Sequence, residues 1–173
     1  MVEKREQLSF QLKPVEPHSL QYFVPHRGVA HAVAVLEDAL KEVQAKPESF
    51  RMVFLYGPAG SGKTHLCEGY RAAAMLGGIA PHKVQVIDLE PATAVHDGTS
   101  DNEKQVSRFV ACYEELKRGG GILLACARKL PAETGTNPHL KSRICSGAVI
   151  ELAYPVEEEL PPLLSSLLSR HNL

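Results

Sequence analysis

The sequence predicts an α/β fold, a parallel sheet covered by helices on both faces, on three observations. Short runs of uninterrupted apolar residues recur along the chain, as strands buried on both faces require. Between them lie stretches with apolar residues at three-and-four spacing, the stripe of an amphipathic helix. Glycines fall where one kind of segment gives way to the other. Such alternation favours parallel strands joined by helical crossovers. The chain has 173 residues, 44% hydrophobic and 23% charged, ordinary values for one folded domain that needs no disulfide or metal staple.

Residues 1–22 read as an extended arm, with Pro14, Pro17 and then Pro25 breaking any periodicity, and residues 23–173 read as the α/β domain. Val29, Val33, Leu36, Leu40 and Val43 mark one helical face, which Pro47 ends. Residues 52–56 form a continuous apolar run, the first strand. A glycine-rich loop at 57–62 leads into a helix over 63–76, stopped by Gly77 and Gly78. Residues 83–89 are a second strand. Ser100 and Glu103 make a capping box, and behind them Val106, Phe109, Val110, Tyr113 and Leu116 lie at helical spacing. Glycines 119–121 end that helix. Residues 122–127 and 148–152 are the third and fourth strands. A last helix starts near Pro161 and Pro162 and carries Leu163, Leu164, Leu167 and Leu168.

Charge and composition exclude several classes. Lys and Arg number 19 and Asp and Glu 20, a net charge of −1, so direct DNA contact is expected to be weak or absent. Lys117-Arg118, Arg128-Lys129 and Lys141 with Arg143 read as solvated loop ends before they read as a DNA patch. No apolar run approaches a membrane span, and the charged start MVEKREQLSF is no secretory signal. The four cysteines (Cys67, Cys112, Cys126 and Cys145) form no CxxC, which fits a cytoplasmic protein with reduced thiols packed as small hydrophobes. The eight histidines are scattered and suggest no metal cluster.

Residues 57–64, Gly57-Pro58-Ala59-Gly60-Ser61-Gly62-Lys63-Thr64, satisfy G-x-x-x-x-G-K-[ST], with a strand before and a helix after. The glycines allow the backbone angles that turn amide N–H groups toward phosphate. Lys63 reaches the outer phosphates, Thr64 places a hydroxyl on Mg²⁺, and the helix start adds a positive dipole end. Nucleotide binding follows. Hydrolysis is a separate matter, needing an acid on a neighbouring strand to hold the metal and position water. Asp88 is the candidate. Leu89 separates it from Glu90, so a plain polar strand end remains an equal reading, and autonomous hydrolysis stays open.

Four stretches together resemble the DnaA/Hda family of replication-initiator ATPases, within the AAA+ class. They are Phe23-Val24 with Arg27 and residues 30–34; residues 54–57 running on to Gly62-Lys63-Thr64-His65-Leu66; ILLACARKLP at 122–131; and LKSRI at 140–144, followed by Ser146, Gly147 and a strand. The last, at this distance from the loop, is the more specific, since a phosphate-binding loop alone is common to many ATPases. The resemblance implies an AAA+-like P-loop fold holding ATP or ADP with Mg²⁺, His65 included in the binding set and Thr64 and Asp88 on the metal. It makes Arg143 an arginine finger reaching the nucleotide of an adjacent subunit. Gln7-Leu8-Ser9-Phe10-Gln11-Leu12 is similar to the peptide by which the Hda branch docks on the DNA polymerase sliding clamp, with Leu8, Phe10 and Leu12 entering an apolar groove and Gln7 at its rim. The implied partners are that clamp and the initiator DnaA, with a homo-oligomer also allowed.

The chain departs from the family in three places. Only 25 residues separate Lys63 from Asp88 (88 − 63), so residues 83–89 are either the acid-bearing strand after a deletion or the family's second strand. Ala127 stands where the family has a polar residue on the sensor 1 strand. The family's C-terminal helical lid is not expected, because the sequence stops at Leu173. The expected function is therefore that of an Hda-like regulator that promotes initiator ATP hydrolysis through Arg143. The alternatives are a non-catalytic initiator- or clamp-binding adaptor with a degenerate nucleotide site, or a helicase-loader-like ATPase.

Overall fold

The computed structural model describes residue 20 and residues 23–89, 100–130 and 138–170. The elements are α1 (Arg27–Ala45), β1 (Phe50–Tyr56), α2 (Lys63–Leu76), β2 (Val84–Asp88), α3 (Ser100–Gly119), β3 (Gly121–Ala127), α4 (Pro138–Ile144), β4 (Ala148–Glu151) and α5 (Leu160–Arg170). The four strands form one sheet in the order β2-β3-β1-β4, and every pairing is parallel. The predicted α/β class is therefore what the chain adopts, with one further helix, α4, between the third and fourth strands that the periodicity did not mark. The strand predicted at 52–56 starts two residues earlier, because Phe50 pairs with Gly121. The last helix begins at Leu160, ahead of its prolines.

A strand's side chains alternate between faces, and here both faces are covered. Val53 and Leu55 of β1 and Ile122, Leu124 and Cys126 of β3 point into a layer under α1 and α2. Met52 and Phe54, with Leu123, Ala125 and Ala127, point into a second layer under α3 and α4. That is why these runs show no polar alternation. In α1 the buried stripe is Val29, Ala32, Leu36, Ala39 and Val43; the predicted Val33 and Leu40 are only partly buried at its edge. Alanines complete the stripe because the helix lies close over the sheet, where longer side chains have no room.

The chain after β4 returns across the start of α1. The amide of Ala153 donates to the Gly28 carbonyl at 3.1 Å, and a Cβ on Gly28 would fall 2.7 Å from the Ala153 carbonyl oxygen, so a side chain there would force α1 and the segment after β4 apart. The His26 imidazole Nδ1 accepts from the Gly28 amide at 3.2 Å and caps α1, and the Glu159 carboxylate accepts from the Arg27 amide at 2.9 Å. This crossing carries Tyr154 and α5 to the side of the glycine loop.

Candidate nucleotide-binding site

The helices that follow β1 and β3 pack on opposite faces of the sheet, α2 in one layer and α4 in the other. Between adjacent strands whose connections diverge in this way, the carboxyl ends open into a crevice, the usual ligand site of such sheets. The loop at 57–62 occupies it. Gly57, Gly60 and Gly62 have φ of +148°, +80° and +91°, angles that L side chains rarely adopt. At Gly57 space is equally decisive: a Cβ would sit 2.1 Å from the Leu152 carbonyl oxygen.

Lys63 opens α2, and only 6% of it is exposed. Its Nζ donates to the Gly57 carbonyl at 2.8 Å and to the Pro58 carbonyl at 2.7 Å. Burial holds its pKa below the ordinary lysine value, while the nearby Cys126 and Asp88 act to raise it. Tyr154 reaches back from beyond β4, its hydroxyl donating to the Ala59 carbonyl. Ser61 is buried, and its Oγ has no hydrogen-bond partner. Left-handed glycines, a buried ammonium, an unsatisfied hydroxyl and a helix N-terminus suit an anion, and phosphate in particular.

Asp88 closes β2 at the same end of the sheet, in register with Cys126. Partial desolvation pushes its carboxyl above the ordinary carboxylate range, against the pull of Lys63 and Arg128. The three charges thus act on one another across the crevice. Thr64 is exposed, and its hydroxyl shares a hydrogen bond with the Cys126 thiol. Cys67 lies beneath, fully buried. Its bond to the Cys126 thiol and its burial push it well above the usual thiol pKa, so it stays protonated and inert. Mg²⁺ prefers water and phosphate oxygens to an all-protein cage and takes few protein ligands. Thr64 and Asp88 fit that limited role, and among the described residues no group of His, Cys, Asp and Glu could hold a metal ion by itself.

Arg128 belongs to this constellation although its sequence context marked it as a solvated loop end. It immediately follows β3, the strand next to β1, which brings it toward Lys63 and Asp88. A cleft of about 340 Å³ flanks the loop on the other side, lined by Phe23, His26, His65 and, from α5, Leu160, Leu164 and Leu167. The Phe23 ring meets His65 edge-on at 5.4 Å. Phe23 and His65 fall within two of the resembling stretches, whereas no local motif marks His26 or the α5 leucines, whose one available signal was the leucine periodicity of the last helix.

Arg143 is not part of this crevice. Its contacts lie near Tyr113, whose ring meets Phe50 edge-on at 5.1 Å, and Phe50 is the amino end of the strand whose carboxyl end enters the loop. At about 3.3 Å per residue, β1 runs roughly 20 Å from Phe50 to the loop, and the surroundings of Arg143 lie toward its Phe50 end. Its Nε and Nη2 donate to Glu114 Oε1 at 3.0 and 2.7 Å, and its Nη1 to the His139 carbonyl at 3.1 Å. Residues 7–12, with the clamp-peptide positions Gln7, Leu8, Phe10 and Leu12, lie outside the described residues. Among the described residues no helix is long and apolar enough to cross a membrane.

No family model matches the sequence, and no curated protein sequence matches it. Solved structures do match in fold. AMPPCP-bound DnaA from Aquifex aeolicus superposes with a TM-score of 0.67 at 20% identity, covering 95% of this chain and 58% of that one. Domain III of the Thermotoga maritima replication initiation protein DnaA gives 0.64 at 19% identity, covering 92% and 77%. The Thermotoga maritima RuvB Holliday junction branch migration motor gives 0.57 at 18% identity, covering 91% and 55%. The chain thus has the fold of the DnaA AAA+ domain, shared with RuvB, and spans just over half of the larger chains.

Proposed function

We propose that this chain binds adenine nucleotide in the crevice around Lys63 and acts on the initiator DnaA, tethered to the sliding clamp through residues 7–12. In this reading Arg143 completes the ATP site of DnaA and promotes hydrolysis there. One observation carries it: the loop and Arg143 stand at opposite ends of one sheet. An arginine so placed does not reach the nucleotide of its own chain, which supports a role at a neighbour's. Such a cation stabilises charge on a transferring phosphoryl group and raises rates by about 10³–10⁵.

At the chain's own site, residues 57–62 and the α2 N-terminus would hold the phosphates, Lys63 would exchange its loop carbonyls for phosphate oxygens, and Thr64 and Asp88 would carry Mg²⁺. The metal, when bound, neutralises phosphate charge. Asp88 at the loop's end of the sheet supports residues 83–89 as the acid-bearing strand. That DnaA from Aquifex aeolicus was solved with AMPPCP on the same fold supports the nucleotide.

The test is ATP turnover by DnaA with clamp loaded on DNA, with and without this protein. Stimulation by the wild type, lost in Arg143→Ala and in Leu8→Ala/Phe10→Ala, is the expected result. Unchanged stimulation in Arg143→Ala sinks the catalytic role. A second reading, a non-catalytic adaptor, is favoured by Ala127. That residue is fully buried at the end of β3 beside Tyr56 and offers no polar group to a γ-phosphate. Partner binding that survives Lys63→Ala, with no stimulation of turnover, supports the adaptor.

A further inference from the structure

We infer that Glu114 and Tyr113 of α3 are positioning residues that hold the Arg143 guanidinium in a fixed pose with its terminal donors available. This rests on the reading of Arg143 as a residue acting in trans. The guanidinium is clamped from three sides. One oxygen of Glu114 takes the Nε and Nη2 edge, at 3.0 and 2.7 Å. The His139 carbonyl, one turn back on α4, takes one N–H of Nη1 at 3.1 Å. The face lies over the Tyr113 ring, with Cζ 5.7 Å from its centroid.

That ring is itself immobilised. Tyr113 is 5% exposed and packed edge-on by Phe50. Its hydroxyl is 2.9 Å from Ser146 Oγ, which donates to the Arg143 carbonyl at 2.7 Å. The loop of contacts therefore closes on the residue it orients.

The donor arithmetic favours a working pose. A guanidinium has one N–H on Nε and two on each terminal nitrogen. The contacts above use Nε and one N–H on each of Nη1 and Nη2. Among the described residues one N–H on each terminal nitrogen has no further partner, enough to meet two oxygens of a phosphate. The Arg143 side chain is 25% exposed, so that edge can be reached. Orienting an arginine beforehand removes an entropic cost that would otherwise fall in the reaction step.

Lys117 Nζ lies 5.5 Å from the centroid of the same Tyr113 ring, so two cations share one aromatic. Glu114 and Arg143 form a half-buried pair between two packed helices, so thermal melts separate an effect on geometry from one on folding.

The experiment compares wild type, Arg143→Ala, Glu114→Ala, Glu114→Gln and Tyr113→Leu in the clamp-dependent stimulation of DnaA ATP turnover, with thermal melts and NMR of the Arg143 Nε–Hε group alongside. Expected is a loss of kcat on the order of tenfold in Glu114→Ala, since small misplacements of a reacting group cost up to about 10². The protein concentration for half-maximal stimulation stays near the wild-type value, Glu114→Gln recovers much of the rate, and the slowly exchanging Nε–Hε signal is lost in Glu114→Ala. Full kcat in Glu114→Ala while Arg143→Ala is inactive overturns the positioning role and leaves the finger standing. An unchanged Nε–Hε signal in Glu114→Ala overturns it independently of any activity. If Arg143→Ala stimulates normally, the finger reading falls and this inference falls with it.

Discussion

Asp88 and Lys63 show how burial and charge compete at single residues. Burial dominates at both, lifting the acid and lowering the base, although each is attracted to the other. For Asp88 the consequence for stability has a definite sign. Its folded pKa lies above the unfolded value of about 3.9, so between the two the native state binds more protons, and stability falls as pH rises through that window. At neutral pH the charged carboxylate is a net cost to the nucleotide-free fold. Asp88→Asn is therefore expected to melt at or above the wild-type temperature at pH 7, with the difference gone near pH 4, while Mg²⁺-dependent nucleotide binding weakens. Melting curves at the two pH values check this. A variant clearly less stable at pH 7 would mean that the attraction of Lys63 and Arg128 outweighs desolvation.

At the scale of elements, β1 and α5 mark the extremes. Phe54 of β1 is fully buried in the layer under α3 and α4. Phe54→Ala leaves a cavity there and should cost about 3–5 kcal/mol, a fall in Tm on the order of 10 °C for a domain of this size. Leu168 of α5 is 50% exposed, and Leu168→Ala should stay within about 0.5 kcal/mol. Urea melts of both variants measure the contrast. Equal losses would show that the exposed leucine face of α5 is covered in solution. The α5 helix matters more to the site than to the core, because its leucines wall the cleft beside Gly60–Gly62.

For the molecule as a whole, the loop, Asp88, Arg128 and the α5 cleft form one end and the Arg143 cluster the other, with a rigid sheet between. Ligand binding at the first end should register as global stability. At 100 times Kd, a nucleotide that binds only the folded state adds about 2.7 kcal/mol, a rise in Tm on the order of 5–10 °C. ATP or ADP with Mg²⁺ should produce it in a thermal melt, and Lys63→Ala should abolish it. No shift with either nucleotide would mean that the loop is vestigial and would favour the adaptor.

The apolar runs, the helical stripes and the glycine-lysine loop were legible in the sequence because each is a local property: residue type and spacing within a few positions decide them. The α/β class followed, since unalternating strands between amphipathic helices admit few other layers. Boundaries shifted by residues such as Phe50, whose strand pairing depends on the distant Gly121. Three things came only from tertiary structure. Arg128 joins Lys63 and Asp88 because β3 lies beside β1. Phe23 and α5 line one cleft because the chain after β4 crosses the start of α1. Glu114 and Tyr113 clamp Arg143 because α3 and α4 share a face of the sheet. Each is a meeting of residues far apart in sequence, and such meetings are set by the order of strands and the burial of both faces, which no local spacing encodes.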